Sequence, residues 1–136
     1  MTVNEPMLRI RHVTISFDET PVVGDVSLDF RRGEISALIG PAGAGKTSLL
    51  LGINRLLELK NDGQLEGSVM FHGQDVYDPS VNPEEIRRRL SYIGSVPACF
   101  PRSIWDNVAW GARINGFDGD MDNLVESCLR QAALWD

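Results

Sequence analysis

"ISALIGPAGAGKTSLLLGINRLL", residues 35–57, carries three signals in immediate succession. Residues 35–39 form a short, uncharged, nearly continuous apolar run, the composition of a strand covered on both faces in a parallel sheet. Residues 40–48, GPAGAGKTS, follow without a break and fit the pattern G-x-x-x-x-G-K-[ST]. From Lys46 onward Leu49, Leu50, Ile53, Leu56 and Leu57 recur at intervals of three and four, which predicts a helix with one apolar face.

Strand, glycine-rich loop and helix in that order make the context in which this pattern binds phosphate. Glycines let the backbone turn tightly and aim successive N–H groups inward, and the helix start adds partial positive charge. Lys46 has the length to reach outer phosphates, and Thr47 is the expected oxygen ligand for Mg²⁺. The predicted nucleotide-binding residues are therefore Gly40, Pro41, Ala42, Gly43, Ala44, Gly45, Lys46, Thr47 and Ser48. The plain alternative, a strand-to-helix connection that is merely rich in glycine, is disfavoured because all three elements are in register.

Before this stretch, "LRIRHVTISF" (residues 8–17) and "VSLDF" (residues 26–30) alternate apolar and polar side chains and predict half-buried antiparallel strands, joined by a loop containing Pro21. "VTISFDE" ends in Asp18-Glu19, but it precedes the loop and alternates, so it is not read as a catalytic acid.

After the helix, "KNDG" (residues 60–63) has turn chemistry, and "EGSVMFHGQDVYDP" predicts a strand and a turn. "NPEEIRRRL" (residues 82–90) has an Asn cap, proline in the first helical position and arginines in the last turn. "LSYIG" (residues 90–94) is expected to return to the central sheet. Ser103 and Asp106 predict a capped helix through Trp110, and residues 121–136 predict a last helix with Leu124, Cys128, Leu129 and Ala132 near one face and no stop signal.

Composition narrows the classes. Hydrophobic residues at 43% and charged residues at 24% suit an ordinary globular domain. Thirteen basic against nineteen acidic residues give a net charge of −6, which argues against a duplex nucleic-acid binder. The only basic cluster, Arg87-Arg88-Arg89, is offset by Glu84 and Glu85. Two cysteines, Cys99 and Cys128, give neither a metal spacing nor a disulfide framework, and a reducing cytoplasm is the simplest setting. "MTVNEPMLRIRH" lacks the apolar core of a signal peptide, and the uncharged run of residues 35–45 is too short to span a bilayer. Membrane association is therefore expected only through a partner. His12 and His72, far apart in strand-like segments, read as surface or strand-packing residues.

Taken together, "ISALIGPAGAGKTSLLLGINRL", "LEGSVMFHGQDVYDP", "RRRLSYI" and "FPRSIWDNVAWGARING" with "LRQAALWD" resemble an ATP-binding-cassette (ABC) ATPase. The similarity runs over nearly the whole chain. Asn54-Arg55, Tyr77-Asp78-Pro79 and Phe100-Pro101 resemble features of the phosphate-importer branch, the ATPase subunits of bacterial and archaeal phosphate importers.

That resemblance implies an α/β P-loop NTPase of the ABC type, with an N-terminal antiparallel β subdomain and P-loop core (residues 1–95) and the start of a helical subdomain (residues 96–136). It implies ATP and Mg²⁺ as cofactors, membrane permease subunits and a second ATPase subunit as partners, and a place on the inner face of the cell membrane. Phe17 matches the aromatic that stacks on adenine in such ATPases, although an aromatic at a strand end packs equally well into a core. A short helix of the membrane subunit is expected to dock in the region of Phe100, Trp105 and Trp110, of which at least one Trp is expected in the core of a small helical subdomain.

Three departures accompany the resemblance. Ser95 stands where the family carries a glutamine that contacts Mg²⁺, the chain contains no Gly-Gly pair and hence no Ser-Gly-Gly-Gln signature, and no apolar strand ending in Asp-Glu follows the loop. These motifs and the family's switch histidine are expected beyond residue 136, in which case the chain is the N-terminal half of such an ATPase, hydrolyses little alone and exposes apolar surface. A short non-hydrolysing protein that binds nucleotide or docks on a transporter is the competing reading, and an unrelated small P-loop kinase or GTPase is a third.

Overall fold

Leu8 and Ile10 are buried, and so are Val13 and Ile15. A strict two-residue alternation cannot bury both pairs on one face. In the computed structural model, which describes residues 5–60 and 62–135, the phase is corrected by a bulge. Strand β1 (Leu8–Phe17) shifts register against both of its neighbours around residues 11–14. His12 takes a φ of 50° there, and Asp25 on the neighbouring strand takes 48°. On the other side a Cβ at Gly67 would lie 2.4 Å from the His12 carbonyl oxygen, so only glycine fits. His12 Nδ1 and Asp25 Oδ1 meet at 2.7 Å on the exposed surface of the kink.

β1 is flanked by β2 (Thr20–Phe30) and β3 (Gly63–Phe71), and β4 (Gln74–Asp75) completes an antiparallel sheet of order β2-β1-β3-β4. Asp18 and Glu19, both at positive φ, form the two-residue turn between β1 and β2. That turn, not a loop around Pro21, joins the first two strands. Pro21 lies within β2, which is an edge strand and tolerates a missing donor. His72 and Gly73, also at positive φ, turn β3 into β4.

Helix α1 (Lys46–Ile53) lies on this sheet: Leu49 and Ile53 join Ile10, Val13, Ile15, Val69 and Phe71 in the core. The helix is shorter than the leucine spacing predicts. Arg55, at a φ of 60°, breaks it, and the chain resumes as a 3₁₀ turn at Leu57–Leu59; Leu50, within the helix, is 42% exposed. Helix α2 (Pro83–Arg89) starts as expected, with the Asn82 side chain accepting from the Glu84 N–H at 2.9 Å. Its arginines diverge: Arg87 reaches the Arg55 carbonyl oxygen and Arg89 lies over the Phe71 ring, so they make no basic patch.

Two expected strands carry no ladder. Residues 35–39 and 90–94 have no strand structure, and Ile35, Ile39 and Ile93 are 101%, 94% and 94% exposed. An apolar run becomes a buried strand only where neighbours supply its hydrogen bonds and cover its faces. Among the described residues the paired strands are β1 to β4, and none of them reaches these segments.

The described residues fall into two compact units, Met1–Ile93 and Gly94–Asp136. The second holds α3 (Ile104–Ile114) and α4 (Met121–Gln131) around Ala109 and Val125. Ser103 caps α3 as predicted, accepting from the Asp106 N–H at 3.0 Å, and the helix runs past Trp110 to Ile114. The Ser103 hydroxyl, and then Arg113, hold the Asp106 carboxyl below its ordinary pKa.

α4 does have a stop. The Leu134 N–H bonds the Leu129 carbonyl and the Ala133 N–H bonds that of Arg130, with Ala133 at a φ of 55°, a closure that glycine would have advertised. Cys128 was expected on the apolar face but is exposed, as is Cys99, and Val125 is the buried residue of α4. Residues 1–4, Asn61 of the predicted "KNDG" turn and Asp136 lie outside the described residues.

Candidate functional site

The loop of residues 40–46 is held by its glycines. Gly43 and Gly45 both take a φ of 79°, and Gly45 is the residue immediately before α1. A Cβ on Gly45 would lie 2.5 Å from the Val22 carbonyl oxygen and 2.6 Å from Val23 Cγ2, so the loop is pressed against β2. No side chain caps the start of α1 and no acidic residue lies in its first turn. Its first N–H groups and the positive end of its dipole are uncompensated.

Lys46 folds back over this loop. Its ammonium donates to the carbonyl oxygens of Gly40 at 2.8 Å and Pro41 at 2.6 Å, and among the described residues it forms no ion pair. An ammonium held on neutral carbonyls beside free helix-start N–H groups suits an anion with several oxygens. Thr47 is exposed in the first turn of α1, with Ser48 half-buried beside it. These residues fit a nucleotide triphosphate and a hard cation. Alongside the loop lies an open hollow of about 360 Å³, lined by aliphatic side chains such as Val23, Leu28 and Leu49 and by Ala44, Gly45 and Lys46 of the loop itself.

The remaining predicted residues are spread more widely. Phe17, the last residue of β1, is half-buried and packs on the core, opposite Thr20 and Gly63. Asp18 and Glu19 sit at the tip of the β1–β2 hairpin. Ser95 is an exposed loop residue of the unit Gly94–Asp136, whereas the glycine-rich loop belongs to Met1–Ile93. Within the second unit, Trp105 and Trp110 are both half-buried; Phe100 lies 5.0 Å from Trp110, and Arg113 covers the Trp105 ring at 4.8 Å.

Sequence reasoning missed a polar cluster at the far end of α1, where Arg55, Glu58, Tyr77 and Arg87 meet. The available signal was the i,i+3 spacing of Arg55 and Glu58. Nothing local to residues 54–58 points to Tyr77 or Arg87.

The profile of the ABC transporter family matches residues 23–136. The chain belongs to the ABC transporter family. Its ABC domain is 48% identical over 130 residues to the phosphate import ATP-binding protein PstB of Prochlorococcus marinus (strain MIT 9312), covering 96% of this chain and 48% of that protein. It is 46% identical over 131 residues to the PstB of Salinibacter ruber (strain DSM 13855 / M31), covering 96% of this chain and 53% of that one. The chain thus spans about half the length of the curated relatives it matches. Among solved structures, a bacterial Atm1-family ABC exporter with ATP bound superimposes with a TM-score of 0.78 at 26% identity, covering all of this chain and 22% of that one. The ATP binding subunit of an ABC transporter shares the fold, with a TM-score of 0.71 at 24% identity over 94% of this chain and 51% of the other. No helix among the described residues is long and apolar enough to cross a membrane.

Proposed function

We propose that this ABC domain binds magnesium-ATP on residues 40–48 and serves as the ATP-binding part of an importer for inorganic phosphate. The observation that carries the nucleotide reading is the Lys46 ammonium, held on two loop carbonyls at the uncompensated start of α1. In this reading the N–H groups from Gly43 to Thr47 and the Lys46 ammonium hold phosphate oxygens, and the Thr47 hydroxyl holds Mg²⁺. Bound Mg²⁺ supplies neutralisation of the phosphate charge. Phe17, beside the turn of the first hairpin, is the proposed adenine contact.

The phosphate assignment is supported by the relatives, which are named as phosphate import ATP-binding proteins at 46–48% identity. Permease subunits and a second ATP-binding subunit at the inner face of the membrane are the proposed partners, with Phe100, Trp105 and Trp110 as the proposed contact region. Turnover by these 136 residues alone is proposed to be slight, because the sequence holds no Gly-Gly pair and places Ser95 where the family carries glutamine.

Calorimetric titration of Thr47→Ala tests the site. The reading predicts that the variant still binds ATP but loses the gain in affinity that Mg²⁺ gives the parent. Equal Mg²⁺ dependence in both proteins removes Thr47 from the metal site.

A further inference from the structure

Helix α1 has eight residues and no basic residue in its last turn. The carbonyls at this end are met by groups from far along the chain. The Tyr77 hydroxyl donates to the Gly52 carbonyl oxygen at 2.7 Å, and Arg87 Nη2 donates to that of Arg55 at 2.8 Å. Arg55 completes the join in the opposite direction. Its Nη1 donates to the carbonyl oxygens of Val76 at 2.9 Å and Val81 at 3.0 Å, while Nε and Nη2 hold Glu58 Oε1 at 2.9 and 2.6 Å. Glu58 Oε2 lies 3.7 Å from Arg87, and the Arg55 guanidinium lies 5.3 Å from the centre of the Tyr77 ring.

This cluster is not an ordinary surface ion pair. The Arg55 side chain is only 11% exposed and the Arg87 side chain 25%. The bonds join the end of α1 to a segment that takes little part in the sheet, since only Gln74 and Asp75 pair there. The helix has little room to slide, because a Cβ on Gly52 would meet Leu65 Cδ1 at 2.8 Å and Ile15 Cδ1 at 3.1 Å. A helix of two turns behaves as one rigid piece, about 12 Å long at about 1.5 Å per residue. Whatever fixes its last turn therefore fixes its first, where Gly45 and Lys46 lie.

We propose that Arg55, Tyr77 and Arg87 are positioning residues for the phosphate loop. By holding the C-terminal end of α1 they set the direction of the N–H groups at its start before any ligand arrives. This rests on the nucleotide reading above and adds a second set of residues to it, remote from the phosphates.

The test uses the full chain in Arg55→Met, Arg87→Met and Tyr77→Phe forms, the last removing a single hydroxyl. Ile86→Val serves as a control that thins the α2 core and leaves the clamp intact. Two quantities are read: the ¹H–¹⁵N amide signals of Gly43, Gly45 and Lys46 without nucleotide, and calorimetric affinity for magnesium-ATP. The proposal predicts that clamp variants displace those amide signals and weaken affinity by about tenfold, the range set by losing one charge-assisted or buried hydrogen bond. Ile86→Val lowers the melting temperature and leaves both quantities unchanged. Unmoved loop signals in the clamp variants, or equal displacement in Ile86→Val, overturn it. A parent chain that binds no magnesium-ATP defeats the nucleotide reading instead, while the amide signals still decide the clamp.

Discussion

The Lys46 ammonium donates to the Gly40 carbonyl oxygen at 2.8 Å, so the first residue of α1 closes the loop that precedes it. With the Pro41 bond this uses two of the three ammonium donors. Both acceptors are neutral, and a phosphate oxygen offers a stronger, charge-assisted bond in their place. The loop is thus held in shape while its cation remains available.

Gly43 and Gly45 share a φ of 79° but differ in surroundings: a Cβ on Gly43 meets nothing within 4 Å, whereas one on Gly45 meets the Val22 backbone at 2.5 Å. Gly43→Ala is expected to cost about 1 kcal/mol, the conformational term alone. Gly45→Ala is expected to cost about 3 kcal/mol, because backbone of β2 must also move. Urea unfolding of the two variants checks the ranking, and equal costs contradict the close approach of loop and strand.

Burial, and then the nearby Glu58 carboxylate, push the Tyr77 hydroxyl from 10.0 up to about 12. A group whose pKa is higher in the folded chain favours folding in its protonated form. Its stabilisation is complete below about pH 10 and is lost as pH rises through about 12. Urea midpoints measured from about pH 9 to about pH 12 are expected to fall more steeply in the parent than in Tyr77→Phe. Parallel curves show that Tyr77 is not buried against α1.

Ile35 and Ile39 contribute almost nothing to the core of this chain, being 101% and 94% exposed. Ile35→Thr and Ile39→Thr are expected to change unfolding free energy by less than about 0.5 kcal/mol, the usual range for exposed positions. The same changes are expected to reduce self-association, since exposed aliphatic groups promote it. Light scattering and urea unfolding of the 136-residue chain read the two effects separately. A large loss of stability contradicts the exposure.

The sequence was most legible where a local pattern carried the information. Alternation located β1 and much of β2, Asn82 and Ser103 marked their helices, and the glycine-lysine pattern located the loop. It was least legible where distant residues decide. Leucine spacing carried α1 through Leu57, but the positive φ at Arg55, satisfied by Val76, Val81 and Glu58, ends it at Ile53. Residues 35–39 have the composition of a buried strand, but composition does not supply the neighbours that make one. The bulge at His12 was present as a skipped beat, Leu8 and Ile10 then Val13 and Ile15, and its partners Asp25 and Gly67 lie far along the chain.

The most direct measurement is calorimetric titration of magnesium-ATP into the parent chain and into Lys46→Ala, with circular dichroism spectra of both. The account predicts binding by the parent, none by the variant, and superimposable spectra, since Lys46 spends its donors on loop carbonyls and takes no part in the buried core. Equal affinity in the two proteins would contradict the assignment of residues 40–48 as the nucleotide site.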